Sequence, residues 1–296
     1  MIRLSLIIAT YNRSRQLLTT LDSVAAQSAP AAEWECVVVD NNSSDDTSQV
    51  VRDFAASHHG LNIRCVAEPR QGLSYARNCG IAHSSGEYIA IIDDDERIVP
   101  DFISAYIDLF DSRPEAASAG GAIIAEYPTG RPRWISRYTE RPIANPMNFG
   151  DRVREFPRGR IPGGGNMAVR RSIIERYGAF DTSLGRCGAT LSGGEESELF
   201  ERLSAGGERC FYTPRAVMYH IIPPRKLTRD YFSALCLNTG RSQRRRAVLH
   251  HRLTRLYIGE IFKWFATLLL CTVHRPSQSR YLIIMRWHIS RAIFFS

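Results

Sequence analysis

The sequence predicts an α/β fold, a mostly parallel central sheet flanked by helices, followed by a basic helical extension. Three observations carry this. Short apolar runs rich in Ile, Val and Ala alternate with amphipathic stretches through residues 1–125. Each run ends in polar side chains, as parallel strands do where their carboxyl ends meet a ligand. One stretch, Tyr88–Pro100 (YIAIIDDDERIVP), breaks from Ile89–Ile92 straight into Asp93, Asp94, Asp95 and Glu96. Four adjacent acids repel one another, and capping a helix needs only one. They make sense around a hard divalent cation such as Mg²⁺ or Mn²⁺, which takes carboxylate oxygens. A solvated acidic loop is the plain alternative.

The elements follow in order. Leu4–Thr10 reads as a buried strand, with Tyr11-Asn12-Arg13 as the turn after it. Ser14–Gln27 carries Leu17, Leu18, Leu21, Val24 and Ala25 at helical spacing. Glu35–Val39 is a second strand ending at Asp40, and Ser44 or Asp45 can cap the helix through Val50, Val51 and Phe54. Ile63–Ala67 is a third strand, Pro69–Gly72 a turn with Arg70 in it, and Leu73–His83 a helix. The acid-ended strand is the fourth. Phe102, Ile103, Tyr106, Ile107 and Phe110 give the next helix a core face, and Ala116–Ala125 is another strand. No GxGxxG follows the first strand, so a nucleotide's diphosphate needs a different source of neutralisation, which a metal at Asp95 would supply.

The chain of 296 residues has room for one large domain and an appendage. Its net charge of +8 is unevenly divided. Residues 226–296 hold 13 Lys/Arg against Asp230 and Glu260, a net +11, while the rest carries −3. A basic tail argues for an anionic partner. The seven cysteines are scattered, with no CxxC pair, which suits a reducing compartment and neither a disulfide framework nor a zinc site. MIRLSLIIATYNR reads as a first strand rather than a signal peptide, so the body is expected in the cytoplasm.

Four blocks carry a resemblance: Ile8-Ala9-Thr10-Tyr11-Asn12-Arg13, Val38 through Thr47, Ala76-Arg77-Asn78-Cys79-Gly80, and Asp93-Asp94-Asp95. In this order and spacing they resemble family 2 glycosyltransferases of the GT-A, Rossmann-like fold, over roughly residues 1–125. The resemblance implies a nucleotide-diphosphate sugar donor, a divalent metal at a DxD motif, and inversion at the anomeric carbon. It places Thr10, Tyr11, Asn12 and Arg13 in the nucleotide pocket and Asp40 on the base; the polar ends of the second and third strands put Asn42 and Arg70 on the same rim. Asp95 becomes the metal ligand, Asp93 its DxD partner, and Asp93 or Asp94 faces ribose or sugar. Arg77 stands where the family often contacts the donor; a helix-surface salt bridge is its alternative.

Residues 126–160, with five prolines and Trp134, lack clear periodicity and suggest a flap over donor or acceptor. Gly163-Gly164-Gly165-Asn166 enters a strand, and glycines there allow close backbone approach or simply a tight turn. In relatives this block borders the sugar and acceptor pocket, which nominates Gly164, Gly165 and Asn166. Gly193 through Leu203 is a fifth matching block. Its position assigns Glu196 as the general base, with Glu195 second, although the family usually has Asp there. Glu198 and Arg202, four apart, suit a surface pair. His220, ending a strand, is a further metal or diphosphate ligand or a structural histidine.

After Pro223-Pro224 the composition shifts. Arg241, Arg244, Arg245, Arg246, Arg252 and Arg255 precede Leu256–Val273, an apolar stretch interrupted by Glu260 and Lys263. Arginines interleaved with aromatics fit helices at a membrane surface, an oligomer interface or, least well, nucleic acid. The expected organisation is a catalytic domain over 1–225, with nucleotide-sugar and acceptor halves meeting near 125, and a membrane-associating or oligomerising segment over 226–296. Its expected place is the cytoplasmic face of the inner membrane, peripheral or monotopic, acting on a glycan or polyprenyl-diphosphate-linked acceptor and not on nucleic acid. The rival functions are a non-catalytic nucleotide-sugar or glycan-binding protein and a nucleotidyltransferase. Gln243-Arg244-Arg245-Arg246 lacks the QxxRW tryptophan of processive relatives, which favours transfer of single sugars.

Overall fold

A computed structural model describes residues 1–187 and 193–295. They form two compact units. The first comprises Met1–Ile124, Met147–Gly188 and Glu195–His220, and the second includes Ala125–Pro146 and Ile221–Ser296.

The first unit opens with β1 (Leu4–Thr10), α1 (Ser14–Ala25), β2 (Trp34–Asp40), α2 (Thr47–Ser57), β3 (Ile63–Ala67), α3 (Leu73–Ala82) and β4 (Tyr88–Asp93). β1 and β2 are buried along their whole length, which is why they read as continuous apolar runs. Parallel pairing sets Thr10 opposite Asp40 and Ala9 opposite Asp93, so the polar strand ends share one rim. Asp45 accepts from the Thr47 N–H at 3.1 Å where α2 begins. The acid run does not stay a loop to its end: Glu96 starts a short strand, β5 (Glu96–Ile98), followed by α4 (Phe102–Ser112). The apolar face expected of α4 is buried, each large side chain there contributing roughly 1.5–3 kcal/mol.

β6 (Ala116–Glu126), α5 (Arg137–Ala144), β7 (Arg154–Glu155), β8 (Met167–Arg170), α6 (Arg171–Tyr177), α7 (Glu195–Ala205) and β9 (Arg209–Ile221) complete the order before the tail. Among the described residues the strands form one sheet in the order β3-β2-β1-β4-β8-β6-β9-β5, with β7 beside β9. β1 to β4 are parallel, and β8 joins β4 antiparallel. β5 pairs antiparallel with β9, setting Glu96 opposite His220.

The second unit is built from α5, α8 (Arg229–Leu249), α9 (Leu253–Val273) and α10 (Pro276–Phe295). Its core gathers Ile135, Ile143, Phe232, Leu235, Leu282 and Ile289. Trp134 stacks on Tyr281 at 4.0 Å and meets Phe232 edge-on at 5.3 Å. Residues 125–146 therefore pack with the tail helices, which neither a boundary at 226 nor a flap over donor or acceptor anticipates. Ser136 and Thr139 form a capping box for α5, but Pro142 inside its eight residues hides the helical period.

Candidate active site

The rim begins at Thr10, whose hydroxyl donates to Asp94 Oδ2 at 2.8 Å. Beyond it the chain turns at Asn12, with φ of 51°, a left-handed conformation that Asn tolerates better than most residues. Asn12 Oδ1 accepts from Ser44 N at 2.7 Å, joining the turn after β1 to that after β2, where Asn42 has φ of 63°. Tyr11, Asn12 and Asn42 are exposed. The Asp40 carboxylate accepts from Ser43 N at 3.0 Å and from the Ser48 hydroxyl. Arg70 lies on Tyr75 and makes a two-pronged pair with Glu68, at 2.8 and 2.7 Å. Asn41, which the sequence did not single out, holds this side of the rim: its amide donates to the Glu68 and Arg70 carbonyls and accepts from Gly72 N.

The four acids separate into distinct roles. Asp94 turns inward, and its oxygens are taken by Thr10 and by Arg13 Nη1 at 2.7 Å. It is thus a buried partner of Arg13. Burial and the neighbouring Asp95 push its carboxyl above the usual range, against the pull of Arg13. Arg13 also reaches Asp95 Oδ2 at 3.1 Å, and burial, which works against its charge, is outweighed by Asp94 and Asp95. Asp93 is the most open of the set. Glu96, left without a role by the sequence, is 2% exposed and accepts from Asp93 N at 2.8 Å. Ligand oxygens of Asp93, Asp95 and Glu96 all lie within 4.8 Å of one another. An all-carboxylate set of this size fits a hard divalent cation. His220 Nε2 stands 3.9 Å from Asp95 Oδ1, beside that set.

Arg77 joins the acids to the start of α7. It is fully buried, which excludes the helix-surface salt bridge. One nitrogen donates to Asp93 at 3.1 Å and to the Gly164 carbonyl at 3.2 Å; the other reaches Glu196 at 3.0 Å and Glu195 at 3.2 Å. In place of a donor contact, its guanidinium is engaged by three carboxyl groups of the protein. The two glutamates differ sharply. Burial, reinforced by the charge of Glu196, pushes Glu195 up to about 8, which favours its protonated form. Its Oε2 is buried without a partner, which costs less on a neutral carboxyl than on a carboxylate. Burial would raise Glu196 too, but Arg77 outweighs it and holds Glu196 below its usual value, ionised. Of the pair, Glu196 is the one able to accept a proton.

The glycine block belongs to the same network. A Cβ at Gly164 would lie 1.9 Å from Glu196 Oε1, and one at Gly165 would lie 1.9 Å from Glu96 Oε1. The backbone is bare there because two carboxylates press against it. Asn166 departs from its expected sugar-binding role. It is fully buried, donating to the Ala122 and Ala216 carbonyls at 2.9 Å each and accepting from the Tyr106 hydroxyl. Both its donors are spent holding strands, leaving none for a sugar. Glu198 and Arg202 form the expected i,i+4 pair at 2.7 Å.

A mostly parallel sheet with a carboxylate cluster at its strand ends and an ionised glutamate opening a helix is the layout of a GT-A glycosyltransferase. The family described as Glycosyl transferase family 2 matches residues 5–178, and the chain belongs to it. It is 28% identical to the glucosyl-dolichyl phosphate glucuronosyltransferase of Haloferax volcanii over 228 residues, 74% of this chain and 69% of that protein. It is 25% identical to the succinoglycan biosynthesis protein ExoM of Rhizobium meliloti over 241 residues, 80% of this chain and 73% of that one. The mannosyltransferase PcManGT from Pyrobaculum calidifontis, solved with GDP-Man and Mn²⁺, shares the fold with a TM-score of 0.64. That match covers 99% of this chain and 87% of PcManGT at 20% identity. This protein is a family 2 glycosyltransferase.

Proposed function

We propose that the chain is an inverting, divalent-metal-dependent transferase that moves a sugar from a nucleotide-diphosphate donor to a hydroxyl of a glycan or polyprenyl-diphosphate-linked acceptor. It works at the cytoplasmic face of the inner membrane, held there through residues 241–296. The observation that carries the reading is Arg77, shared between Asp93 at 3.1 Å and Glu196 at 3.0 Å. One rigid group thus sets the proton acceptor against the carboxylate on the donor side. The names of the H. volcanii and R. meliloti relatives, which specify glucosyl-dolichyl phosphate and succinoglycan biosynthesis, support the acceptor class.

In this reading Glu196 removes the acceptor hydroxyl proton as its oxygen attacks the anomeric carbon. The bond to the diphosphate breaks on the opposite face, inverting that carbon. A positioned base contributes on the order of 10²–10⁴ in rate. Arg77 keeps Glu196 ionised, and neutral Glu195 fills the space beside it without adding a second negative charge. Asp93, Asp95 and Glu96, with His220 adjacent, would hold a Mn²⁺ or Mg²⁺ ion, whose charge offsets that of the departing diphosphate. Tyr11, Asn12 and Asn42, exposed on the rim, are available to the nucleoside.

The test is a panel of nucleotide sugars read by thermal shift with and without Mn²⁺, followed by NMR of the product's anomeric carbon. One donor should stabilise the chain more with Mn²⁺ than without, and its sugar should appear inverted. Transfer with retained configuration, or no response to any nucleotide sugar, would overturn the reading.

A further inference from the structure

Helix α9 is built inside out. Its acid, Glu260, is fully buried, accepting from Arg286 at 2.8 Å and from the Ser290 hydroxyl at 2.7 Å. Trp264 donates to the same Ser290 oxygen at 2.9 Å, and Thr267 is buried on the same side. The outward side holds Ile258, Ile261, Phe262, Phe265, Leu268, Leu269 and Val273, from 52% to 75% exposed. Their spacing places them on one continuous stripe about 22 Å long. Scattered exposed apolar side chains are ordinary, but an unbroken stripe marks an interaction surface. The helix cannot roll to hide it without stripping Glu260 from its partners.

We infer that this outward face of α9 is a membrane-docking surface that lies in the plane of an anionic lipid leaflet without crossing it. The helix is long and apolar enough to cross by length and composition, and of its described residues Glu260 and Thr267 are the buried ones. Crossing alone would pull Glu260 away from Arg286 and leave its charge unpaired in hydrocarbon. Crossing together with α10 would carry Arg280, Arg286, His288 and Arg291 inside. Lying flat keeps every pair intact and sinks only the apolar side. Charge complementarity selects the occupant. Exposed Arg252 and Arg255 flank the stripe at its start, and Arg275 and Arg280 stand beyond its end, where anionic headgroups would meet them. A second copy would bring another tail of net +11 against the first. Trp287, 58% exposed on α10, suits the headgroup boundary.

This inference deepens the membrane part of the proposed function and is independent of the chemistry. Flotation of the full chain with phosphatidylcholine vesicles, and with vesicles about one third phosphatidylglycerol, tests it without any transfer reaction. The chain should float with the anionic vesicles. Phe262→Ser with Phe265→Ser and Leu269→Ser should weaken that binding by about tenfold or more while leaving the thermal melt unchanged. Arg252→Glu with Arg255→Glu should weaken it only on the anionic vesicles. The tryptophan emission that Trp287→Phe removes should be quenched more by lipids brominated near the headgroup than by those brominated deep in the chain. The inference is overturned if the serine variant floats like the original, or if quenching is strongest deep in the bilayer. It is also overturned if the chain does not float but forms a dimer that the serine variant converts to a monomer.

Discussion

Replacing Arg77 with methionine keeps the stem and removes the charge that three carboxyl groups share. Arg77 is fully buried and reaches Asp93, Glu195 and Glu196 within 3.2 Å. Glu195, its carboxyl pushed up to about 8 by burial and the charge of Glu196, carries the least charge of the three, so the loss chiefly leaves Asp93 and Glu196 uncompensated. Removing one partner of a buried pair costs about 3–5 kcal/mol. For a unit of this size that lowers the melting temperature by roughly 10 °C. Without Arg77, Glu196 loses what holds its pKa down, so its folded-state value rises above the unfolded one. An acid raised in this way destabilises the fold at high pH and ceases to do so once protonated. The gap between the original and Arg77→Met should therefore narrow as the pH is lowered from 8 to about 5. Arg77→Lys, with charge but no fork, should fall between the two. The assay is thermal unfolding of the full chain across that pH range, with a parallel transfer assay. A melt within about 2 °C of the original at pH 8, with normal turnover, would refute the reasoning.

Two further outcomes rest on separate contacts. Gly165→Ala places a Cβ where Glu96 Oε1 stands, 1.9 Å away, so Glu96 must move. Mn²⁺ affinity measured by calorimetry should fall about tenfold, and unchanged affinity would remove Glu96 from the cation set. Glu35 is buried, which alone would raise its pKa, but hydrogen bonds from Ser5 and Ser85, with Arg64 at 2.7 Å, hold it at about 2. Its folded value lies below the unfolded one, so its stabilisation is full above about pH 4.5 and is lost as the pH falls toward 2. Glu35→Gln should remove up to roughly 3 kcal/mol at neutral pH and flatten that acid arm in a urea titration; an unchanged arm contradicts it.

The heart of the sheet was legible because β1, β2 and β4 are buried on both faces and so read as apolar runs. The rim was legible because those runs end in Thr10, Asp40 and Asp93. Contacts made across the sheet were not. Glu96 looked like one acid too many until antiparallel pairing set it opposite His220 and against Gly165. Asn166 is nominated as a sugar contact because its block borders the sugar and acceptor pocket in relatives, yet its partners are carbonyls 44 and 50 residues away. Arg77 reads as a donor contact with a surface salt bridge as its alternative, since helical spacing does not tell which neighbour a buried guanidinium will find. Residues 125–146 were obscured by their own prolines, and their packing depends on Trp134 meeting Tyr281.

The central claim is that ionised Glu196 takes the acceptor's proton, and the transfer rate of Glu196→Gln tests it most directly. The amide is nearly isosteric and lies outside the donor's cation set, so the donor's affinity should stay within about twofold, while turnover falls by about 10²-fold or more. Glu195→Gln, which replaces a carboxyl already neutral, should keep most of its activity. Near-normal turnover by Glu196→Gln, with loss confined to Glu195→Gln, would contradict the account.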